Sequence, residues 1–221
     1  MGNKKLHKLE YEIHGKNRPH FELHHKCWYF MEKQAEGFSV SDANQLVYNF
    51  KKHLDKKGTA ECFYRNQAVQ KFISDLCTLR INPKILHNGY ITAVPAPTSK
   101  VRNSTKWNDR IDLVVKGWAK CNSAIKVEYA LDVICDIPSS HQGGGSRNPH
   151  EIKKYLKFNG FKDEPSEVVI IIDDVYTTGG HFKAFREFIL ENDERVKEVI
   201  GIFWALHVWD LPDVDELDMP F

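Results

Sequence analysis

Two adjacent acids and a loop of small residues stand out in the segment Val168–His181, which reads VVIIIDDVYTTGGH. Its apolar, β-branched run is typical of a buried strand, and the run ends at Asp173 and Asp174. The small residues that follow lead into a helical pattern, so their backbone N–H groups are expected at a helix N-terminus, which favours phosphate. Carboxylates beside such a seat suit ribose hydroxyls or the waters of a bound Mg²⁺. The segment therefore predicts a site for a ligand that carries a phosphate and, close to it, either sugar hydroxyls or a bound Mg²⁺.

Other motifs that combine acids with glycines fit the chain less well. Neither Gly-x-x-x-x-Gly-Lys-Ser/Thr nor a Gly-x-Gly-x-x-Gly following a strand occurs in it. The stretch DDVYTTG lacks the spacing of a Ca²⁺ loop, and the two acids of a glycosidase face each other across a bond instead of adjoining on one strand. A role as a helix cap needs one acid at the N-cap, not two acids well before the glycines.

Strand and helix patterns alternate around this segment and predict an α/β fold with a mostly parallel central sheet flanked by helices. Ligands of such sheets bind beyond the carboxyl ends of the strands. Three predicted loops leave such ends, after Ala93, Cys135 and Asp174, and are expected to converge on one crevice. Strands are predicted at the start of 90–100 and in 125–135, 167–174 and 198–209, and helices in 39–58, 64–79, 106–121, 151–158 and 180–193.

Length and composition indicate one globular domain with short appendages. The chain has 221 residues, of which 42% are hydrophobic and 28% charged. Residues 39–210 are predicted to form the domain, residues 1–38 a polar, histidine-rich N-terminal extension, and residues 211–221 an acidic tail. The formal net charge of +1 gives no general reason to expect a nucleic-acid or membrane partner.

The cysteines and the N-terminus predict a cytoplasmic chain. The N-terminal residues lack the apolar core of a signal peptide, and no apolar run approaches the roughly 20 residues that span a bilayer. An odd number of scattered cysteines without a Cys-x-x-Cys pair indicates reduced thiols and not a disulfide framework. These cysteines are Cys27, Cys62, Cys77, Cys121 and Cys135.

The histidine-rich start of the chain raises the question of a metal. His20, His24 and Cys27 have spacings that one helical turn brings together, and such side chains bind zinc. No four-ligand pattern with tight spacing emerges, so a solvated extension or a packing flap is the expectation for this segment.

The segment IIIDDVYTTGG resembles the phosphoribosyl-pyrophosphate (PRPP) motif of type I phosphoribosyltransferases. The resemblance implies a type I phosphoribosyltransferase-like fold and a Mg²⁺-dependent transfer of phosphoribose to or from a base or amine, with pyrophosphate exchange. It implies that Asp173 and Asp174 are catalytic, hold the ribose 2- and 3-hydroxyls, and meet Mg²⁺ through water. The implied 5-phosphate site comprises Val175, Tyr176, Thr177, Thr178, Gly179, Gly180 and His181, the last standing where that family usually has Thr or Ser.

A wider likeness, over roughly residues 45–208, is to the ComF branch of this fold, which is associated with DNA uptake. The chain resembles it in a strand that ends in Val-Pro-Ala-Pro and in an upstream helix with a Phe-Lys core. The four-cysteine zinc ribbon with which that branch usually begins is missing, because only Cys27 lies in that region. Further similar positions are Lys106, Trp107 and Asn108 at a helix start and Gln142, Arg147 and Asn148 in a loop.

Transfer from PRPP also needs cations and hydrogen-bond donors for the leaving pyrophosphate. The loop 139–150 is long for a compact domain, and type I enzymes carry a mobile closing loop at this position. Arg147 is therefore predicted to be catalytic and to reach the pyrophosphate on closure. His181 and His141 are acid–base groups by chemistry, but for His181 a backbone phosphate contact is favoured. The predicted pyrophosphate residues are Thr98, Ser99, Lys100 and Arg102.

Three functions remain open at this point. The first is the transferase, and the second is a non-catalytic or regulatory module that binds PRPP or a nucleotide without releasing pyrophosphate. The third is a nucleic-acid accessory protein, suggested by the ComF likeness and by Lys51, Lys52, Lys56 and Lys57, although such a run is more often a solvated face. A homodimer is a further hypothesis, and the acceptor is not readable, because fold does not fix function.

Overall fold

The computed structural model describes residues 5–35, 37–52, 58–137 and 146–209. Six helices and eight strands lie in these ranges. The strands are β1 His7–Lys8, β2 Cys27–Gln34, β3 Ile91–Pro95, β4 Ile125–Val127, β5 Leu131–Val133, β6 Leu156–Phe158, β7 Val168–Tyr176 and β8 Glu198–Val208. The helices are α1 Tyr11–His14, α2 Asp42–Phe50, α3 Ala60–Cys77, α4 Arg110–Cys121, α5 Pro149–Lys153 and α6 Gly180–Asn192, with a 3₁₀ turn at Pro83–Ile85.

Six of the strands form one sheet in the order β1-β2-β8-β7-β3-β4. Every neighbouring pair in it is parallel except β1 and β2, which are antiparallel. Strands β5 and β6 form a separate antiparallel pair. The predicted α/β class with a mostly parallel central sheet is confirmed. Strand β7 lies inside the sheet between β3 and β8, which explains its unbroken apolar run.

Each face of the sheet packs against its own hydrophobic core, because successive side chains of a strand point to opposite faces. Val169 and Ile171 of β7 belong to the core that α5 and α6 cover. Ile170 and Ile172 belong to the core that α2, α3 and α4 cover. The position of a side chain along β7 therefore decides which group of helices it meets.

The N-terminal segment differs from the predicted polar extension. Strand β2 pairs in parallel with β8, so part of 1–38 belongs to the main sheet and not to an appendage. Its residues Cys27, Tyr29 and Phe30 are buried. The sequence CWYFMEKQ has the aromatic content of a strand, but its histidine-rich surroundings hide that signal.

Two predicted elements divide in the structure. The strand predicted at 125–135 is the pair β4 and β5, and the helix predicted at 151–158 is the short α5 followed by β6. Asn148 caps α5, since its side chain accepts the backbone N–H of His150. Helix α2 begins after the predicted cap Ser41, whose hydroxyl accepts the backbone N–H of Asn44, and ends at Phe50.

Some predicted features lie outside the described residues. These include the tail 211–221, part of the predicted closing loop with His141 and Gln142, and both Lys56 and Lys57. Within the four described ranges, none of the helices combines the length and the apolar character that a bilayer span requires.

The prediction that all the cysteines are reduced thiols is wrong for two of them. Cys77 and Cys121 form a disulfide, with their Cα atoms 6.2 Å apart. Cys77 is the last residue of α3 and Cys121 the last residue of α4, two helices that share one core. Linear spacing does not reveal this proximity, because packing of the two helices creates it.

Breaking this disulfide, which joins residues 44 positions apart, is expected to lower the free energy of unfolding by about 2–4 kcal/mol, because the bond closes a long loop in the unfolded chain. Urea unfolding of the protein with and without a reductant measures the effect. The variant in which both Cys77 and Cys121 are replaced by Ser serves as control and should not respond to the reductant. Equal unfolding midpoints for oxidised and reduced wild-type protein would contradict a stabilising role.

Candidate functional site

The candidate site lies at the carboxyl end of β7, where β3 ends beside it. Pro95 of β3 is in register with Ile172 of β7. One residue later the backbone N–H of Ala96 donates to the carbonyl of Ile172 over 2.9 Å. The loop after β3 therefore starts next to Asp173. The ends of β3 and β7, two of the three places from which the predicted crevice loops leave, thus lie at one edge of the sheet.

Asp174 points toward the helices on the α2–α4 face of the sheet and is 6% exposed. Its Oδ2 accepts hydrogen bonds from Nε and Nη2 of Arg110, at 3.2 and 3.0 Å. The Nζ of Lys51, just after α2, lies 3.7 Å from the same oxygen. Burial alone would raise the pKa of Asp174, but the charges of Lys51 and Arg110 outweigh it and hold the pKa below its usual value. Asp174 is therefore an ionised carboxylate that pairs with two cationic side chains.

Asp173 is only half-buried and has a different environment. Its Oδ1 accepts the backbone N–H of Asp174 over 2.7 Å. Burial is the main cause that raises the pKa of Asp173 to about 7, and the negative charge of Asp174 is the second. The two neighbouring acids thus separate into one ionised group and one group that titrates near neutrality, and a cation or hydroxyl donors would favour the ionised form of Asp173.

This difference predicts a pH dependence of stability. The pKa of Asp173 rises on folding from 3.8 to about 7, so the native state is stabilised fully below about pH 4 and loses that stabilisation as the pH rises toward 7. Asp173→Asn escapes this loss. Between pH 4.5 and pH 7.5 we expect the variant to gain on the order of 2 kcal/mol relative to wild type. Urea unfolding at both pH values measures this gain, and a difference that stays constant with pH would contradict it.

A tight loop joins β7 to α6. Thr177 and Thr178 are followed by Gly179, the N-cap of α6, which has a left-handed φ of 86°. Gly180 is the first residue of the helix, which runs for 13 residues. The first N–H groups of a helix have no partner within it, and the positive end of the dipole lies there. The loop therefore lies at a helix N-terminus, which is the position that the sequence predicts for it.

Two other segments pass close to this loop. The backbone N–H of His20 donates to the carbonyl of Thr178 over 3.2 Å. A Cβ at Gly180 would collide with the carbonyl oxygen of Arg147 and would lie 3.3 Å from Cδ2 of His20. The backbone of Arg147, a residue of the predicted closing loop, thus lies against the loop Thr177–Gly180, while its side chain is exposed. The glycine at position 180 is explained by this close approach of backbone.

The remaining predicted phosphate residues differ in what they present. Val175 and Tyr176 still belong to β7, which extends two residues beyond the predicted end. Tyr176 is 1% exposed and packs edge-on against Phe203, so its side chain supports the loop from below and does not line a ligand site. His181 is exposed, and its ring lies within electrostatic reach of Asp174.

The predicted pyrophosphate residues lie in the loop after β3, and two of them already have acidic partners. Lys100 lies 3.8 Å from Asp136. Arg102 donates to Asp112 at 2.5 Å and lies 3.2 Å from Asp132, where it lines a pocket of about 330 Å³ next to β5. Its two acidic partners therefore hold the Arg102 side chain near β5 and away from the end of β7. Thr98 and Ser99 stay nearer the strand end; the Thr98 hydroxyl donates to the carbonyl of Lys100 and the Ser99 carbonyl accepts from Ile137.

Sequence reasoning missed Arg110, Lys51 and His20 as residues of this site. One signal for Arg110 exists, because a cation in the first turn of a helix is unfavourable and indicates an acidic partner elsewhere. Lys51 reads as part of a solvated lysine run. His20 reaches the loop through its backbone, which leaves no mark in the pattern of side chains.

Comparison with known proteins gives a distant likeness of shape. No protein-family model matches the chain, and no curated protein sequence matches it at a significant level. A hypoxanthine phosphoribosyltransferase from Staphylococcus aureus is 12% identical, over 67% of this chain and 81% of that chain, with a TM-score of 0.34. The enzyme of that name from Trypanosoma cruzi is 10% identical, over 69% and 83%, with a TM-score of 0.38. These values are too low to indicate a function.

The chemistry of these residues fits a phosphorylated sugar and a hard cation. Asp173 offers carboxylate oxygens, and Thr177 offers a hydroxyl a few residues further along the loop. Oxygen ligands are those that Mg²⁺ prefers, often through its own waters. The raised pKa of Asp173 reflects a negative charge that its surroundings stabilise poorly, so a cation or sugar hydroxyls there would be favourable. Asp174 is less available, because Arg110 and Lys51 already occupy one of its oxygens.

Proposed function

We propose that this protein is a Mg²⁺-dependent phosphoribosyltransferase that binds PRPP and transfers its phosphoribosyl group to a base or amine, releasing pyrophosphate. One observation carries the proposal. Asp173 and Asp174 end the apolar part of a strand inside a parallel sheet, and the small-residue loop after them forms the N-terminus of a long helix. An acid pair and an anion seat within a few residues match the two ends of a ribose 5-phosphate.

The 5-phosphate is assigned to the loop Thr177–Gly180. The N–H groups at the start of α6 and the two threonine hydroxyls supply donors, and the helix dipole favours the negative charge. Gly179 is needed for its left-handed backbone, with φ of 86°, and Gly180 for the close approach of Arg147 and His20. Small residues there are thus required by geometry as well as by the ligand.

The ribose is assigned to Asp173 and not equally to both acids. Hydroxyl donors favour the ionised form of a carboxyl group, so ribose binding would lower the pKa of Asp173 from about 7. Asp174 instead positions Arg110 and Lys51, which it holds at 3.0 and 3.7 Å. Those two cations, with the exposed Arg147, are available near the site for the pyrophosphate.

Transfer breaks the bond between C1 of the ribose and an oxygen of pyrophosphate, and the electron pair leaves with the pyrophosphate. The acceptor nitrogen supplies the pair that forms the new bond to C1 and then loses its proton. Positive charge builds up on the sugar ring meanwhile, so fixed carboxylates near the ring and fixed cations near the leaving group accelerate the reaction. When bound, Mg²⁺ would neutralise part of the pyrophosphate charge.

A second candidate is a module that binds PRPP or a nucleotide without transfer. The ion pairs of Asp174 favour it, because the charge of this acid is already balanced by Arg110 and Lys51. Pyrophosphate release from PRPP and Mg²⁺, measured across a panel of purines, pyrimidines and amines, separates the candidates. Release that depends on one acceptor and is lost in Asp173→Asn supports transfer. Binding of PRPP without release across the whole panel supports the module.

A further inference from the structure

A cluster of metal-ligating side chains lies in the N-terminal segment, apart from the PRPP site. Glu22, His24 and His25 each offer one ligand atom, and these atoms all lie within 4.8 Å of one another. Both histidines approach the same carboxylate oxygen: Nε2 of His24 lies 3.3 Å from Oε2 of Glu22, and Nε2 of His25 lies 3.7 Å from it. The cluster differs from the sequence grouping of His20, His24 and Cys27, since the Cys27 side chain is fully buried in β2.

The distances between these ligand atoms suit a metal ion with tetrahedral coordination. Zinc binds imidazole nitrogens and carboxylate oxygens at about 2.0–2.1 Å, which places neighbouring ligand atoms about 3.3 Å apart. The separations of 3.3 and 3.7 Å are close to that edge length. The side chain of His24 is 56% exposed, so a small rotation can bring it into place.

His25 supplies an independent sign of a missing partner. The residue is 4% exposed, and its Nε2 is buried without a hydrogen-bond partner. The ring is held edge-on against Phe182, with centroids 5.3 Å apart. An unsatisfied buried polar atom is costly, and a metal ion on Nε2 would remove that cost.

The carboxylate of Glu22 is held in place by α6. Its other oxygen, Oε1, contacts Nζ of Lys183, which leaves Oε2 turned toward the histidines. Such outer contacts orient metal ligands. Lys183 and Arg186 are also the cations that face the cluster, and their charge opposes a metal ion, so the affinity should be moderate.

We propose that Glu22, His24 and His25 form a zinc-binding site with three protein ligands and a fourth position open to water. Two histidines and one glutamate are a ligand set that zinc accepts. Coordination through Nε2 of His25 places the ring proton on Nδ1, so the Glu22 backbone N–H must give up its long 3.2 Å contact with Nδ1.

The bound ion would fasten the N-terminal segment to α6. Glu22 reaches α6 through Lys183, and His20, two residues earlier, donates to Thr178 in the phosphate loop. Zinc would thus hold the segment that packs over Gly179 and Gly180. This zinc site shares no residue with the site proposed for Mg²⁺. It also differs in chemistry, because two of its three ligands are imidazole nitrogens.

Binding is tested on the full chain after treatment with a chelator, with Zn²⁺ by calorimetry and with Co²⁺ by visible absorption. We expect one ion per chain, the visible bands of four- or five-coordinate Co²⁺, and a rise in the thermal midpoint on adding Zn²⁺.

His24→Asn, at an exposed position, should fold normally, weaken Zn²⁺ binding at least about 10-fold and abolish the midpoint rise. The control His87→Asn removes a half-buried histidine outside the cluster that lies near a carboxylate, Glu164 at 3.8 Å, and should bind Zn²⁺ as wild type does. Absence of saturable binding, or wild-type affinity in folded His24→Asn, overturns the proposal.

Discussion

Asp174→Asn is expected to lower the free energy of unfolding by about 3 kcal/mol, because removing one partner of a buried ion pair leaves the other charge uncompensated. Asparagine keeps the size of the side chain but not its charge. Arg110, whose side chain is 18% exposed, and Lys51 would then face each other without their shared carboxylate. Urea unfolding of both proteins at neutral pH measures the loss.

The exposed pair of Asp163 and Lys126 provides the matched control. Their charged atoms lie 2.9 Å apart, but the Asp163 side chain is 60% exposed, so Asp163→Asn should change stability by less than about 1 kcal/mol. Adding Arg110→Gln to Asp174→Asn should recover part of the lost stability, since it removes the unpaired charge. A change below about 1 kcal/mol in Asp174→Asn would contradict the ion-pair account.

The same variant should weaken PRPP binding by at least about 10-fold, or about 1.4 kcal/mol. Asp174 acts on the ligand through Arg110 and Lys51, so the loss should become smaller at high salt, where charge–charge interactions are screened. Wild-type affinity in folded Asp174→Asn would contradict the positioning role.

Gly180→Ala is expected to weaken PRPP binding by about 100-fold, or about 2.7 kcal/mol. Helix propensity alone favours alanine by up to about 1 kcal/mol. Overpacking costs about 1–3 kcal/mol, and here the new methyl group would meet the backbone carbonyl of Arg147, which cannot rotate away as a side chain does. The clash should therefore prevail, and the start of α6 should shift out of the geometry that binds a phosphate.

Calorimetry with PRPP and Mg²⁺ measures the affinity, and circular dichroism verifies the fold of the variant. Gly37→Ala is the control, because a Cβ at Gly37 meets nothing within 4 Å and should leave binding unchanged. Gly180→Ala with wild-type affinity would show that the loop from Thr177 to Gly180 is not the phosphate seat.

The local sequence pattern predicted the strand and the helix that carry the site. Contacts between residues that are distant in sequence determine the features that the pattern did not predict. The β-branched run of β7 and the amphipathic α6 have the predicted type and nearly the predicted bounds. Strand β2 escaped prediction because its partner β8 lies at the other end of the chain. The difference in pKa between the two acids also depends on packing, since Arg110 at the start of α4 and Lys51 just after α2 meet at Asp174.

The loop after β3 also forms ion pairs that the sequence pattern did not predict. Its composition predicted a basic surface for pyrophosphate, but the acids that engage Lys100 and Arg102 come from distant positions, Asp136 and Asp132 among them. The acid with which a cation pairs decides where the cation points, and so whether it lies near a ligand. The spacing of residues along the chain does not contain that information.

Calorimetric titration of the folded protein, residues 1–221, with PRPP in the presence of Mg²⁺ measures directly whether the protein binds this substrate. We expect saturable binding at one site per chain, little binding without Mg²⁺, and a loss of affinity of at least about 10-fold in Asp173→Asn. Absence of binding to a protein shown to be folded, or unchanged affinity in Asp173→Asn, would contradict the proposed function.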